Sequence, residues 1–232
     1  MKYNDDNYQR PLLQIKLENL LSFGPGTAPL ELENLNILIG PNAAGKSNLI
    51  EALSLMRATP VSATSSNMDL RGVLRRGGGV NEWVWKGGKW KSASLDVVVN
   101  SPKGKPLRHV LSFRGDEQGF RLEDERIENE APKRGESEPY FYYRFQHGQP
   151  VVNTIGAPGR RLARETVNTE LSILAQRRDP EQYPEIAHLA EVYEKIRIYR
   201  EWAFGRNTVF REPQKADMRS DRSEERRCRE RV

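Results

Sequence analysis

Cysteine is nearly absent from this sequence: Cys228 is the only one, which excludes an internal disulfide. No Cys/His group has zinc-ligand spacing either, so a structural zinc is not expected. Long apolar runs are also missing. No stretch approaches the ~20 consecutive apolar residues that span a bilayer, and the opening MKYNDDNYQR lacks the apolar centre of a secretory signal. A soluble, cytoplasmic protein with no membrane partner is expected. Apolar residues are scarce overall, 37% of the chain against 30% charged, which is low for a compact globule but above the range of a disordered one. Part of the chain should therefore pack poorly. The three histidines, His109, His147 and His188, lie far apart in unlike contexts and suggest neither a metal site nor a catalytic set. The net charge of +5 permits a polyanionic partner. Residues 116–138 lean acidic, however, while arginines gather near the C-terminus, so no single basic face for DNA can be read from charge.

What is present is a phosphate-binding signature. Gly40-Pro41-Asn42-Ala43-Ala44-Gly45-Lys46-Ser47 fits G-x-x-x-x-G-K-[ST] at every position. Consecutive backbone N–H groups, turned inward at a helix N-terminus, make a concave site of positive potential for phosphate oxygens. Gly40 and Gly45 let the backbone curl without Cβ clashes. Lys46 can reach the β- and γ-phosphates of a nucleotide, and the Ser47 hydroxyl can hold a bridging Mg²⁺. The candidate nucleotide-binding residues are Gly40, Pro41, Asn42, Ala43, Ala44, Gly45, Lys46, Ser47 and Asn48; Lys46 is also the catalytic candidate and Ser47 the metal candidate.

The flanks suit this reading. LLQIKLENL alternates apolar and polar, the period of a half-buried strand. LELENLNILIG ends in an apolar run over residues 35–39 that predicts a strand buried on both faces. The helix after Gly45 should turn Leu49, Ile50, Leu53 and Met56 to one side and end before Pro60. Residues 60–80, rich in Ser, Thr and Gly, read as a mobile surface loop with at most a short helix. The segments NEWVWKG, KWKSASLDVVVN, LRHVLSFRG, GFRLEDERIEN, YFYYRFQ and QPVVNTI predict antiparallel hairpins in a meander over residues 81–156. Trp83, Trp85, Phe113, Phe141 and Tyr143 are read as its packing residues. RLARETVNTELSILAQ, from near Arg161, predicts a helix, residues 184–195 a second helix with proline in its first turn, and IRIYREWAF a further strand. The Arg/Glu-rich residues 214–232 have almost nothing to bury and read as a disordered tail.

At this point the sequence resembles a family. LLQIKLENLLSFG followed by NILIGPNAAGKSNLIEAL resembles the N-terminal lobe of the RecF/SMC-type ABC ATPases, especially the bacterial RecF-like AAA ATPases. LSILAQRRDPEQYPEIAHLAEVYEKIRIYREWAFGR resembles their Q-loop region, so the likeness spans most of residues 11–213. It implies an α/β P-loop NTPase fold: an ABC ATPase-like N-terminal lobe with a mixed sheet, an antiparallel β-meander and flanking helices. It implies ATP and Mg²⁺ as ligands, with Asn42 near the phosphates. It also implies that Gln176 is the Q-loop glutamine, whose amide oxygen helps hold Mg²⁺ and acts in catalysis by sensing the γ-phosphate; the bland reading of Gln176 is a surface residue at a helix end. Full-length members of the family are expected to close as head-to-head homodimers over two nucleotides and to act in DNA repair or defence.

Three parts of the family pattern do not occur in the sequence: an LSxGE-like signature, an apolar strand ending in Asp-Glu, whose Glu would activate water, and a switch histidine. Inefficient hydrolysis by this chain alone is therefore expected. A strand at residues 35–39 without its neighbours should also leave the chain marginally stable. Two other readings stay open: a non-catalytic module that docks on DNA or a partner nuclease, and a truncated remnant of an interrupted reading frame. Arg10, Arg177 and Arg178 could contact phosphates or DNA, but solvated surface charge is the plainer account of each.

Overall fold

The structure, a computed structural model, describes residues 10–62, 68–89, 92–102, 104–116, 119–146, 148–154, 157–161 and 167–200. The chain divides into two units, residues 1–196 and 197–232. In the second only residues 197–200 are described, and they hold no regular element. The tail read at residues 214–232 lies outside the described residues, as does the second half of the strand read at IRIYREWAF; its first half, residues 196–200, is not a strand.

The first unit is built on one eight-stranded sheet. Its strands are β1 (Leu12–Glu18), β2 (Leu30–Glu31), β3 (Ser92–Val99), β4 (Leu107–Asp116), β5 (Gly119–Asn129), β6 (Phe141–Gln146), β7 (Gln149–Thr154) and β8 (Ala157–Arg161). They lie in the order β2-β1-β3-β4-β5-β6-β7-β8, and every pairing is antiparallel. Alternation along the strands separates two faces. One carries Ile15, Leu95, Val97, Leu111, Phe113, Ile127, Tyr143 and Val152 into the core. The other is polar and closed by cross-strand charge pairs. Arg108 on β4 meets Asp96 on β3 at 2.7 Å and Glu128 on β5 at 3.4 Å, and Arg144 on β6 meets Glu128 at 3.7 Å.

Five helices complete the apolar core: α1 (Lys46–Ala58), α2 (Leu70–Arg76), α3 (Val80–Trp83), α4 (Ile173–Gln176) and α5 (Pro184–Glu194). Leu49, Ala52, Leu55, Met56 and Ala58 form the buried side of α1, while Ile50 and Leu53 are only partly covered. Asp69 caps α2 by accepting the Gly72 N–H at 2.9 Å, the usual role of a short acceptor ahead of a helix. In α5, proline stands in the first turn and Ile186, Leu189, Ala190 and Tyr193 face inward. No helix among the described residues is long and apolar enough to cross a membrane.

The α/β class stands, but four local expectations are corrected. The sheet is antiparallel throughout rather than mixed, because residues 35–39 form no strand. They run as irregular chain with Leu35, Ile37 and Ile39 exposed at 79%, 74% and 90%. An apolar run of that kind needs a strand at each edge and cover on each face, and no described strand pairs with it. NEWVWKG is not a hairpin strand either. The left-handed Gly78 and Gly79 (φ 93° and 95°) turn the chain into α3. There Trp83 is buried against Gly77, where an added Cβ would lie 2.4 Å from the indole nitrogen. Only Val84 keeps a β contact, an isolated bridge to Leu20. Finally, Arg161, where the helix was read to begin, is the last residue of β8, and the helical part is confined to α4; residues 162–166 lie outside the described set.

Candidate functional site

The phosphate loop is folded by three local features. A tight turn closes where the Ala44 N–H reaches the Pro41 carbonyl at 3.3 Å, and Ala43 within it takes a left-handed φ of 66°. Gly45 then takes φ 88° and ψ 2° as the N-cap of α1. A side chain at Gly45 would be strained by that conformation and would place its Cβ 2.8 Å from the Ser22 hydroxyl. From there α1 begins, and the Leu49 N–H makes its first bond, to the Gly45 carbonyl at 3.0 Å. The N–H groups of Lys46, Ser47 and Asn48 precede that bond and have no partner within the helix. The N–H groups of Asn42, Ala43 and Gly45 also donate to no other backbone group among the described residues.

Lys46 closes the loop from the other side. Its ammonium donates to the carbonyls of Gly40 at 2.8 Å and Pro41 at 2.7 Å. Pro41, Asn42, Ala43, Ala44 and Ser47 are exposed, Lys46 and Asn48 half-buried, and Gly45 buried. The docked side of α1 fixes the axis of that helix and hence the direction of its N-terminal amides and dipole. A run of unengaged amides, a lysine within reach and an exposed hydroxyl are the donor set that a triphosphate with magnesium requires, so the residues present fit that group. Alanine at position 43 is strained in the left-handed region by about 1 to 2 kcal/mol. Ala43→Gly is expected to raise unfolding stability by about 0.5 to 1 kcal/mol once the entropy of glycine is offset, as read by urea denaturation.

Gln176 stands at the last position of α4 with its amide engaged in its own turn. Oε1 accepts from the Asn168 N–H at 2.8 Å, and Nε2 donates to the carbonyls of Asn168 at 3.0 Å and Leu171 at 2.8 Å. No hydrogen bond joins it to the phosphate loop among the described residues. Two of the three arginines read as surface charge pair with carboxylates: Arg10 with Glu33 at 3.0 Å and Arg178 with Glu194 at 2.8 Å.

Sequence reasoning missed a polar group in the core. Glu125, on the inner face of β5, has both oxygens occupied. Oε1 accepts from the Ser172 hydroxyl at 2.5 Å, and Oε2 accepts from the Ile173 N–H at 2.9 Å. His109 Nε2 lies 3.3 Å from Oε1, and His109 Nδ1 lies 3.1 Å from the Tyr193 hydroxyl. All four side chains are essentially inaccessible, at 1% or less. Burial, with the nearby Asp96 and Glu125, raises the Tyr193 pKa well above its ordinary value, so the phenol keeps its proton. His109 thus bridges the Tyr193 hydroxyl and the Glu125 carboxylate. The apolar alternation of Leu107, His109, Leu111 and Phe113 was the available signal that His109 points inward.

An antiparallel-dominated α/β domain carrying this loop is a P-loop ATPase domain of the AAA type. Residues 35–224 match the family described as "AAA domain, putative AbiEii toxin, Type IV TA system", and the chain belongs to that family. No curated protein matches the chain. Among solved structures, the chain is similar to one from work on ATP-driven dimerization and DNA-stimulated activation of SMC ATPases. The identity is 16% and the TM-score 0.36, over 67% of this chain and 74% of that one.

Proposed function

We propose that this chain binds ATP with Mg²⁺ through the loop running from Gly40 to Asn48, as the N-terminal part of a RecF/SMC-like ATPase. One observation carries the reading: the turn at Pro41 to Ala44 and the left-handed Gly45 leave a row of amides without backbone partners at the start of α1, next to the Lys46 ammonium. Phosphate oxygens would take those amides, and Lys46 would exchange two neutral carbonyl acceptors for charged oxygens, which bind it more strongly. Ser47 would hold Mg²⁺. Bound magnesium supplies charge neutralisation between the β- and γ-phosphates. Gln176 would join it only by giving up the bonds to Asn168 and Leu171. Dimerisation over nucleotide and action on DNA, in repair or defence, extend the reading from the motif resemblance.

Calorimetric titration of the whole chain with ATP, with and without Mg²⁺, tests it. A single saturable site strengthened by Mg²⁺ is expected, with thermal stabilisation equivalent to about 2.7 kcal/mol when ATP is a hundredfold above Kd. Neither heat nor stabilisation at millimolar ATP would sink the proposal.

A further inference from the structure

We infer that Ser22 is a further phosphate-binding residue, its hydroxyl donating to an oxygen held at the start of α1; the inference rests on the nucleotide reading proposed above and deepens it. Backbone strain points to it. Among the described residues, the non-glycine positions with a left-handed φ are Asn19 at 53°, Leu21 at 52° and Ala43 at 66°. Ala43 belongs to the turn of the phosphate loop. Asn19 and Leu21 belong to the turn that follows β1, and the two turns meet at Gly45, where Ser22 and Phe23 pack against the loop. Strain of this kind persists only where the surroundings over-determine it, and it gathers at ligand sites.

In the turn after β1 the Leu20 N–H reaches the Phe23 carbonyl at 3.0 Å and the Phe23 N–H reaches the Leu20 carbonyl at 2.9 Å. Leu21 and Ser22 are therefore the two central residues of a tight hairpin. A hairpin of this length takes a positive φ at its first central position and favours glycine, asparagine or aspartate there; a leucine is strained in it. The turn is fixed from behind all the same. The Leu21 N–H donates to the Trp83 carbonyl at 2.7 Å and the Trp85 N–H to the Asn19 carbonyl at 2.9 Å. Leu20 is fully buried, and the Trp85 indole lies 3.1 Å from where a Cβ on Gly24 would stand. Held in this way, the hairpin presents Ser22 at its tip. Its hydroxyl oxygen is the atom nearest the Cβ position of Gly45, at 2.8 Å, closer than the Phe23 ring at 3.5 Å. Ser22 is exposed, and among the described residues its hydroxyl makes no hydrogen bond. The Gly45 N–H donates to no other backbone group among them, so an anion drawn to that amide arrives beside a hydroxyl free to turn toward it. Such a bond to a charged oxygen is stronger than one to a neutral acceptor, and it would tie the phosphate to the sheet as well as to α1.

The test is calorimetric titration of the whole chain with Mg²⁺-ATP and, separately, with Mg²⁺ and inorganic tripolyphosphate, for the wild type, Ser22→Ala, Ser22→Thr and Ser22→Val. Threonine and valine have nearly one shape and differ in the hydroxyl, so the pair separates hydrogen bonding from packing. Ser22→Ala and Ser22→Val are expected to weaken the binding of both compounds about tenfold, the loss of one hydrogen bond to a charged acceptor. Ser22→Thr should stay within about threefold of the wild type. The urea midpoint of Ser22→Ala should match that of the wild type, because the hydroxyl is exposed in the free protein. Wild-type affinity in Ser22→Ala, equal losses in Ser22→Thr and Ser22→Val, or a markedly lower urea midpoint in Ser22→Ala would overturn the assignment. So would a loss with ATP and none with tripolyphosphate, which would put the contact on the nucleoside. Lys46→Ala keeps the two readings apart. If it binds ATP like the wild type, the nucleotide reading itself fails. If it loses ATP while the Ser22 variants match the wild type, only the role of Ser22 fails.

Discussion

Lys46→Ala is expected to weaken ATP binding about a hundredfold, roughly 2.7 kcal/mol, while the urea midpoint of the free protein stays nearly fixed. The two expectations have separate causes. In the free chain the ammonium donates to the Gly40 and Pro41 carbonyls, both exposed to water. Water replaces it there, and surface changes of this kind stay within about 0.5 kcal/mol. In the complex the same ammonium would face phosphate oxygens, and a hydrogen bond between charged partners is worth about 1.5 to 3 kcal/mol. Lys46→Arg should recover only part of the loss, because a planar guanidinium does not fit where a compact point charge lies against two carbonyls 2.7 to 2.8 Å away. Calorimetry and urea denaturation on the three proteins separate these effects. Equal affinities for wild type and Lys46→Ala would remove the loop from the account of nucleotide binding.

How much of this was legible in the sequence depends on how far each feature reaches along the chain. The loop and α1 were, because G-x-x-x-x-G-K-S and an amphipathic helix are local patterns. Runs such as ASLDVVV and LRHVLSF were legible as strands for the same reason, and His109 could be placed by simple alternation. Glu125 could not. Counting by twos from the buried Leu122 puts residues 124, 126 and 128 inside and Glu125 outside. The register between β4 and β5 shifts by one residue, however: Phe113 faces Leu122 while Ser112 faces Asp124. That bulge turns Glu125 and Ile127 inward, and nothing in GFRLEDERIEN announces it. Residues 35–39 failed for the opposite reason. Their pattern is a strand pattern, but a strand exists only with neighbours, and a local reading supplies none. NEWVWKG misled because aromatic content suggested β-structure, whereas the glycine pair before it and the burial of Trp83 decided for a helix.

The second large effect concerns those exposed residues. Ile37→Asn combined with Ile39→Asn is expected to weaken self-association of the isolated protein by two to three orders of magnitude, about 3 to 4 kcal/mol, without lowering its unfolding midpoint. Full burial of an isoleucine side chain is worth about 1.5 to 3 kcal/mol. At 74% and 90% exposure, Ile37 and Ile39 contribute little of that to the fold and have most of it available for contact with a second molecule. Leu35 and Leu38, at 79% and 41%, extend the same apolar stretch, and contiguous exposure of this kind drives association. Alternating side chains would have to be covered on both faces at once, which a flat surface cannot do, so intermolecular strand pairing is the favoured contact. Asparagine removes the apolar drive and lowers the β propensity of the run together. Sedimentation velocity over a concentration series, beside urea denaturation, reads both halves of the expectation. A double variant that associates as before, or that unfolds at markedly lower urea, would mean that residues 35–39 are packed in solution. The strand leading into Gly40 would then be formed in solution, and ATP affinity should fall in the double variant as well. If the residues are exposed, affinity should not change, because the turn at Pro41, the left-handed Gly45 and the docked face of α1 hold the loop without them.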